Sequence, residues 1–139
     1  MPHFDRERLQ PSLAEAGIEY LHVPELGGRR RSRGDSPNGG WRKESFRAYA
    51  DHMASDEFSA GLERVIELAG ERRCALMCAE AVWWRCHRRL VADALLVRGW
   101  RVLHVQSAAA PSPHDLTPFA VVHDGVGLTY PPPQEALDL

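Results

Sequence analysis

The sequence predicts an α/β domain: a short three-strand parallel sheet flanked by helices, followed by a C-terminal β-hairpin. Three observations carry that expectation. The middle of the chain alternates extended apolar runs with amphipathic helical stretches, as parallel strands joined by right-handed crossovers do. Cys74-Ala75-Leu76-Met77-Cys78 is continuously apolar, the pattern of a strand buried on both faces. Near the end, two short β runs, Phe119 to Val122 and Val126 to Tyr130, flank Asp124-Gly125, a strong hairpin signal.

The elements follow in order. Residues 5–16 read as a first helix, with Asp5 as cap, Leu9, Leu13 and Ala16 on one face, and Pro11 as a kink or late start. Gly17 suits the C-terminal cap. Ile18 to Val23 reads as a strand that Pro24 ends, because proline cannot donate to a central ladder. Glu25 to Gly40 is a long loop rich in glycine that carries Arg29, Arg30, Arg31 and Arg33. Such a loop is either a solvated connection or an anion-binding lid. Arg33-Gly34-Asp35 reads as a chance tripeptide.

Two helices come next. Phe46, Tyr49, Ala50 and Met53 share a face of the first; Phe58, Leu62, Val65, Ile66 and Ala69 form the stripe of the second. Ser55 caps the second and Gly70 is expected to end it. After the 74–78 strand, a helix from about Cys86 to Arg98 turns Leu90, Val91, Ala94 and Leu95 inward and stops at Gly99. Trp100 to Val105 is the third expected strand. Residues 1–130 read as one domain and 131–139 as a frayed tail.

Composition narrows the function classes. With 139 residues, 44% hydrophobic and 26% charged, the chain is ordinary globular material. Its net charge of -2 argues against a protein that is mainly a non-specific nucleic-acid binder. No apolar run is long enough to span a membrane. The charged start, MPHFDRERLQ, has no signal-peptide core, so a cytosolic location is expected. The odd number of cysteines then reads as reduced thiols. Basic charge is carried by arginine, with Lys43 the single lysine. Arg forks suit carboxylate and phosphate, although a GC-rich genome accounts for most of them.

The chemistry-bearing cluster is Cys78-Ala79-Glu80 followed by Cys86-His87-Arg88. Cys78 is expected at the carboxyl end of a strand, where open α/β sheets bind ligands. Cys86 and His87 are expected at a helix N-terminus, which attracts anions and lowers a thiol pKa. Arg85, Arg88 and Arg89 add positive charge. Four readings stay open. The cysteines are small buried residues and His87 a surface one. Or Cys78 is a thiolate nucleophile with Arg-assisted anion binding, although Cys78 and Arg85 stand one residue further apart than in a Cys-to-Arg phosphate loop. Or Cys78, Cys86 and His87, with Glu80, hold Zn or Fe, at a spacing unlike a zinc finger. Or Arg and Trp contact nucleic acid.

Glu80 is a general acid/base candidate or a cap of the next turn. Trp83 and Trp84 are a stacking platform or packing under the loop. His22 and His104 sit on expected strands, and His104 is the better placed of the two.

The ordered pieces Gly17-Ile18-Glu19-Tyr20-Leu21-His22-Val23-Pro24-Glu25-Leu26-Gly27-Gly28, Phe46 with Tyr49-Ala50 and Met53, Leu76-Met77-Cys78-Ala79-Glu80, Cys86-His87-Arg88, and Gly99 with Val102 and His104 resemble the DUF488 family of uncharacterised bacterial and archaeal proteins. The resemblance covers most of residues 2–130. It implies a compact α/β domain with no established activity. Family members begin with a strand bearing a Gly-His-Ser-like motif and a second ending near Val-Asp-Val-Arg. Pro2-His3-Phe4 looks like the Pro-x-Phe that follows, so on the order of 40 residues, one βαβ unit, are expected to be missing. Trp83 and Trp84 also stand where Asp-Pro-like residues are common. An exposed sheet edge is expected to be covered or to self-associate.

The reading that follows is a thiol-centred site for an anionic or nucleotide-like small molecule. Cys78 is the expected nucleophile, Glu80 the acid/base and His87 the assistant. Arg29, Arg88, Cys86, His104 and Tyr49 are expected to bind substrate. No cofactor is named. The alternatives are a nucleic-acid or protein binding module without catalysis, and a metal site on the same cluster.

Overall fold

The computed structural model describes residues 6–28, 30–31, 34–78 and 82–133. The expected Asp5 cap, Arg29, Arg33, Glu80 and the tail from residue 134 lie outside the described residues.

Helix α1 spans Arg6–Glu15 and includes Pro11. It closes through Gly17, whose φ of 78° is open to glycine, and the Ile18 N–H donates to the Leu13 carbonyl at 2.8 Å. Pro24 does not merely stop an extended run. Its fixed φ opens a 3-10 turn, Pro24–Leu26. Leu26 is buried there against the next helices.

Helix α2 spans Glu44–His52 and α3 spans Asp56–Glu71. Ser55 caps α3 as expected, its Oγ accepting the Phe58 N–H at 3.1 Å. Gly70 is not the stop; α3 continues to Glu71 and ends at an extended Arg72. Gly61 lets the Pro24–Leu26 turn approach: a Cβ there would lie 2.7 Å from the Glu25 Cβ. Helix α4 spans Arg88–Val97. Gly99, φ 89°, ends its run, and the Trp100 N–H returns to the Leu95 carbonyl at 3.1 Å.

The helical stripes bury one another. Phe46, Tyr49, Ala50, Phe58, Leu62, Val65, Leu90, Val91 and Ala94 form one core with Leu26, Trp41 and Tyr130. Trp41 is the aromatic hub, with ring centroids 5.0 Å from Phe46, 4.8 Å from Phe119 and 5.3 Å from Tyr130. The long loop is pinned to this core. Asn38 donates to Asp51 at 2.7 Å and accepts the Tyr130 N–H at 2.8 Å. Ser36 donates to the same Asp51 oxygen at 2.5 Å.

The parallel sheet expected from the sequence is not formed. Strands β1 (Leu103–His104) and β2 (Ser112–Pro113) pair antiparallel, and so do β3 (Val121–His123) and β4 (Gly127–Thr129), as two separate two-stranded sheets. Segments 18–23 and 73–78 form no regular secondary structure and join neither sheet. Of the 100–105 run, two residues pair, with a partner running the opposite way. A parallel strand needs cover on both faces. Here the helices satisfy one another, and Leu76, Met77 and Val105 are exposed. The class remains α/β, but with four helices and two small antiparallel sheets among the described residues. The hairpin does form where Asp124-Gly125 placed it. Asp124 and Gly125 take φ of 52° and 87°, the geometry a tight hairpin turn requires. No helix among the described residues is long and apolar enough to cross a membrane.

Candidate functional site

The segment between residue 73 and α4 brings two of the three cysteines together. Cys78 lies half-buried at the end of an extended stretch, and Cys74 on the same stretch is exposed. The chain then turns through a 3-10 helix, Trp83–Arg85, to an extended Cys86. Cys86 is buried. Its Sγ, one residue before the His87 N-cap of α4, accepts the backbone N–H of Arg88 at 3.2 Å. The Arg88 Nε reaches the same sulfur at 3.0 Å. The Cys78 Sγ lies 3.3 Å away.

These contacts decide the state of the Cys86 thiol. Burial alone raises its pKa, but hydrogen bonds from His87, from both donors of Arg88 and from Cys78 win and lower it from 9.0 to about 6. Arg88 responds in kind. Burial works against its charge, and the two sulfurs outweigh it and raise its pKa. These contacts favour the thiolate form of Cys86, with the Arg88 guanidinium against it.

His87 follows Cys86, and its ring lies over Tyr49, centroid to centroid 5.0 Å. Gly28 packs against the same imidazole so closely that a Cβ at Gly28 would collide with its Nδ1. Tyr49 is fully buried, and its hydroxyl donates to the Leu26 carbonyl at 2.8 Å; burial pushes its pKa upward. It supports the floor under His87 with its hydroxyl already engaged. Arg30, also in the long loop, donates to the Gly27 and Pro24 carbonyls at 3.1 Å each and pairs with Glu57 at 3.4 Å. Arg29 and Glu80, two of the expected site residues, lie outside the described residues. His22 is exposed on its extended segment.

His104 belongs to a second constellation that sequence reasoning did not assemble. Asp93, fully buried on α4, accepts at one oxygen from His114 Nε2 (2.7 Å) and from the Thr117 N–H (3.1 Å). Its other oxygen accepts the Tyr130 hydroxyl at 2.8 Å. His114 Nδ1 meets His104 Nε2 at 2.7 Å. Trp83 lies flat on the His104 ring, centroids 3.7 Å apart and planes 2° apart. Burial, then the charges of His114 and Arg88, lower the His104 pKa to about 4. A signal for this cluster was present: Asp93 sits among Leu90, Val91, Ala94 and Leu95, an acid on an apolar helical face. His114, ten residues beyond His104, gave none.

Among the described residues, no group of three or more His, Cys, Asp or Glu is placed to hold a metal ion. Two shallow concavities, one beside Arg30, Arg31 and Glu44 and one between Phe58, Ala94 and Leu128, have linings that do not include the cysteine pair.

The family model described as domain of unknown function DUF488 matches residues 1–95 of the 139. The chain belongs to the DUF488 family. The DUF488 match takes in Cys78, Cys86, His87, Arg88 and Asp93 and ends within α4. Gly99, Val102 and His104, which the sequence resemblance had included, fall beyond it. No curated protein and no solved structure matches the chain.

Proposed function

We propose that this DUF488 chain is a thiol-centred protein that engages an anionic or nucleotide-like small molecule. The observation that carries the reading is the Cys86 sulfur, buried at the start of α4 and held by both donors of Arg88. The nucleophile is then Cys86, not the Cys78 favoured by position along the chain. Cys86 has the donors that stabilise a thiolate, and Cys78 supplies a further contact at 3.3 Å. Arg88 grips the thiolate through its backbone N–H and its Nε, and its positive charge favours an anionic ligand at this site. His87 supports the thiolate by a hydrogen bond. Glu80 as acid/base and Arg29 as anion holder carry over from the sequence.

The test is the pH dependence of iodoacetamide alkylation, mapped to each cysteine by peptide mass in the wild type and in Cys86→Ser. Cys86 is expected to alkylate with a midpoint near 6. A midpoint at or above that of a free thiol, about 8.5, overturns the reading.

One observation favours a second reading. Trp84 and Arg85 are exposed side by side, which suits nucleic-acid contact. That version requires binding that falls steeply with salt; a gel shift at low salt without binding removes it.

A further inference from the structure

We propose that Asp93, His114 and His104 form a proton relay whose outer end, His104 Nδ1, accepts a proton from a hydroxyl, water or thiol group brought to Arg88. The argument starts at the buried end. Asp93 is fully buried and its carboxylate takes hydrogen bonds from His114, the Thr117 N–H and the Tyr130 hydroxyl. A carboxylate can only accept. His114 Nε2 must therefore carry a proton, and in a neutral ring its Nδ1 is left bare. His104 Nε2, 2.7 Å away, must then donate to it. With one proton per ring, the polarity of the whole chain is fixed from Asp93, and the one lone pair left over is on His104 Nδ1. No described residue hydrogen-bonds to that nitrogen.

The step balances without an outside reagent. The O–H or S–H bond of the incoming group breaks as its proton forms one N–H bond at His104 Nδ1, and the electron pair stays on that oxygen or sulfur, leaving an anion beside the Arg88 guanidinium. The proton on His104 Nε2 passes to His114 Nδ1, so one N–H bond breaks and another forms. The net change is one proton gained. The positive charge comes to rest on His114, in contact with the Asp93 carboxylate, rather than on His104. That placement is favourable because the charged groups around the relay differ along its length. His104 is disfavoured as a cation, by burial first and then by His114 and Arg88. His114 has Asp93 at 2.7 Å. Arg89, the other cation facing the cluster, is tied to the Thr117 hydroxyl at 3.2 Å and lies over the Trp41 ring. Tyr130 has its pKa pushed upward, by burial first and then by Asp93, so it stays a neutral donor.

The outer end is held in place. Trp83 is stacked flat on His104 and comes from the same 3-10 turn that leads into Cys86. The two centres adjoin through this turn: Trp83 packs on His104, and Cys86, which ends the turn, bonds Arg88. The relay therefore serves the thiol site with a group that removes or returns a proton. The identity of the bound molecule rests on the thiol-site reading; the relay does not.

The experiment uses the full chain and diethyl pyrocarbonate, which acylates an accessible bare imidazole nitrogen, read on the His104 peptide by mass. His104 is expected to be acylated in the folded wild type. In His114→Gln the carboxamide still bridges His104 and Asp93 but cannot take up a proton. A structural bridge is preserved there and a relay is lost, so His104 acylation should slow about tenfold, the weight of one pKa unit, with an unchanged thermal melt. An unreactive His104, or equal rates in the two proteins, overturns the proposal. If His114→Gln fails to fold, Tyr130→Phe replaces it. Asp93 then loses one donor and its carboxylate is left to the His114 and Thr117 N–H groups, and acylation should quicken; an unchanged rate overturns the relay. Cys86 alkylation against pH is read on the same wild-type protein, so failure of the thiol reading and failure of the relay give different results.

Discussion

The helices and segments 18–23 and 73–78 both carry apolar side chains and meet different fates. Leu62, Leu90 and Phe58 are almost fully buried, whereas Ile18, Leu21, Leu76, Met77 and Val105 stand in solvent, Val105 at 74% exposure. The difference lies in what each needs as a partner. A helix satisfies its own backbone and asks its neighbours only for an apolar face. A strand must find another strand for its N–H and C=O groups before its side chains can be covered. In this chain α2, α3 and α4 found faces, and segments 18–23 and 73–78 join no ladder.

The comparison breaks first at the helical core if it is wrong. Phe58→Ala should cost about 3–5 kcal/mol, the lost transfer energy plus the cavity left beside Tyr49. Urea unfolding measures it; a cost below about 1 kcal/mol would mean that the core repacks freely. Tyr130→Phe comes next, at about 1–3 kcal/mol, because it strips the Asp93 carboxylate of a buried donor while keeping the ring against Trp41. It separates polar from apolar contributions within one side chain.

The thiol site gives a pH-dependent test. The Cys86 pKa is lowered on folding from 9.0 to about 6. Such a group contributes stability that is fully present above the unfolded value and is lost as pH falls through the folded one. Wild type should therefore gain on Cys86→Ser as pH rises from 6 toward 9. The gain should be about 1–2 kcal/mol, below the full linkage value because Arg88 keeps partial contact with water. Denaturation in reducing buffer across that range reads it. A flat or falling difference would remove the thiolate.

The sequence was legible where local physics decides. The stripes of α2, α3 and α4, the Ser55 cap, the Gly17 and Gly99 stops and the Asp124-Gly125 turn depend on residues a few positions apart. The clustering of Cys78, Cys86 and Arg88 was legible for the same reason: one turn and one helix start place them. The parallel sheet was not, because an apolar extended run specifies a strand's appetite for a partner and not the partner. The Asp93–His114–His104 chain was not either. Its links cross 21 and 10 residues through loops, and its one local sign, an acid in an apolar helical stripe, went unread.

The smallest expected effect is the most exacting for the comparison. Met77→Lys and Val105→Lys should each change stability by no more than about 0.5 kcal/mol, as substitutions at exposed positions do. Lysine at either site meets water and displaces no packed neighbour. Suppose instead that Met77→Lys costs about 2 kcal/mol or more, as loss of a buried apolar side chain would. Segment 73–78 would then be covered in solution. Sedimentation velocity over a concentration series decides by what. If wild type dimerises and Met77→Lys stays monomeric, a second copy supplies the missing cover, as exposed edges invite. If both stay monomeric, the cover comes from this chain's own residues, and the contrast between buried helices and bare extended segments fails.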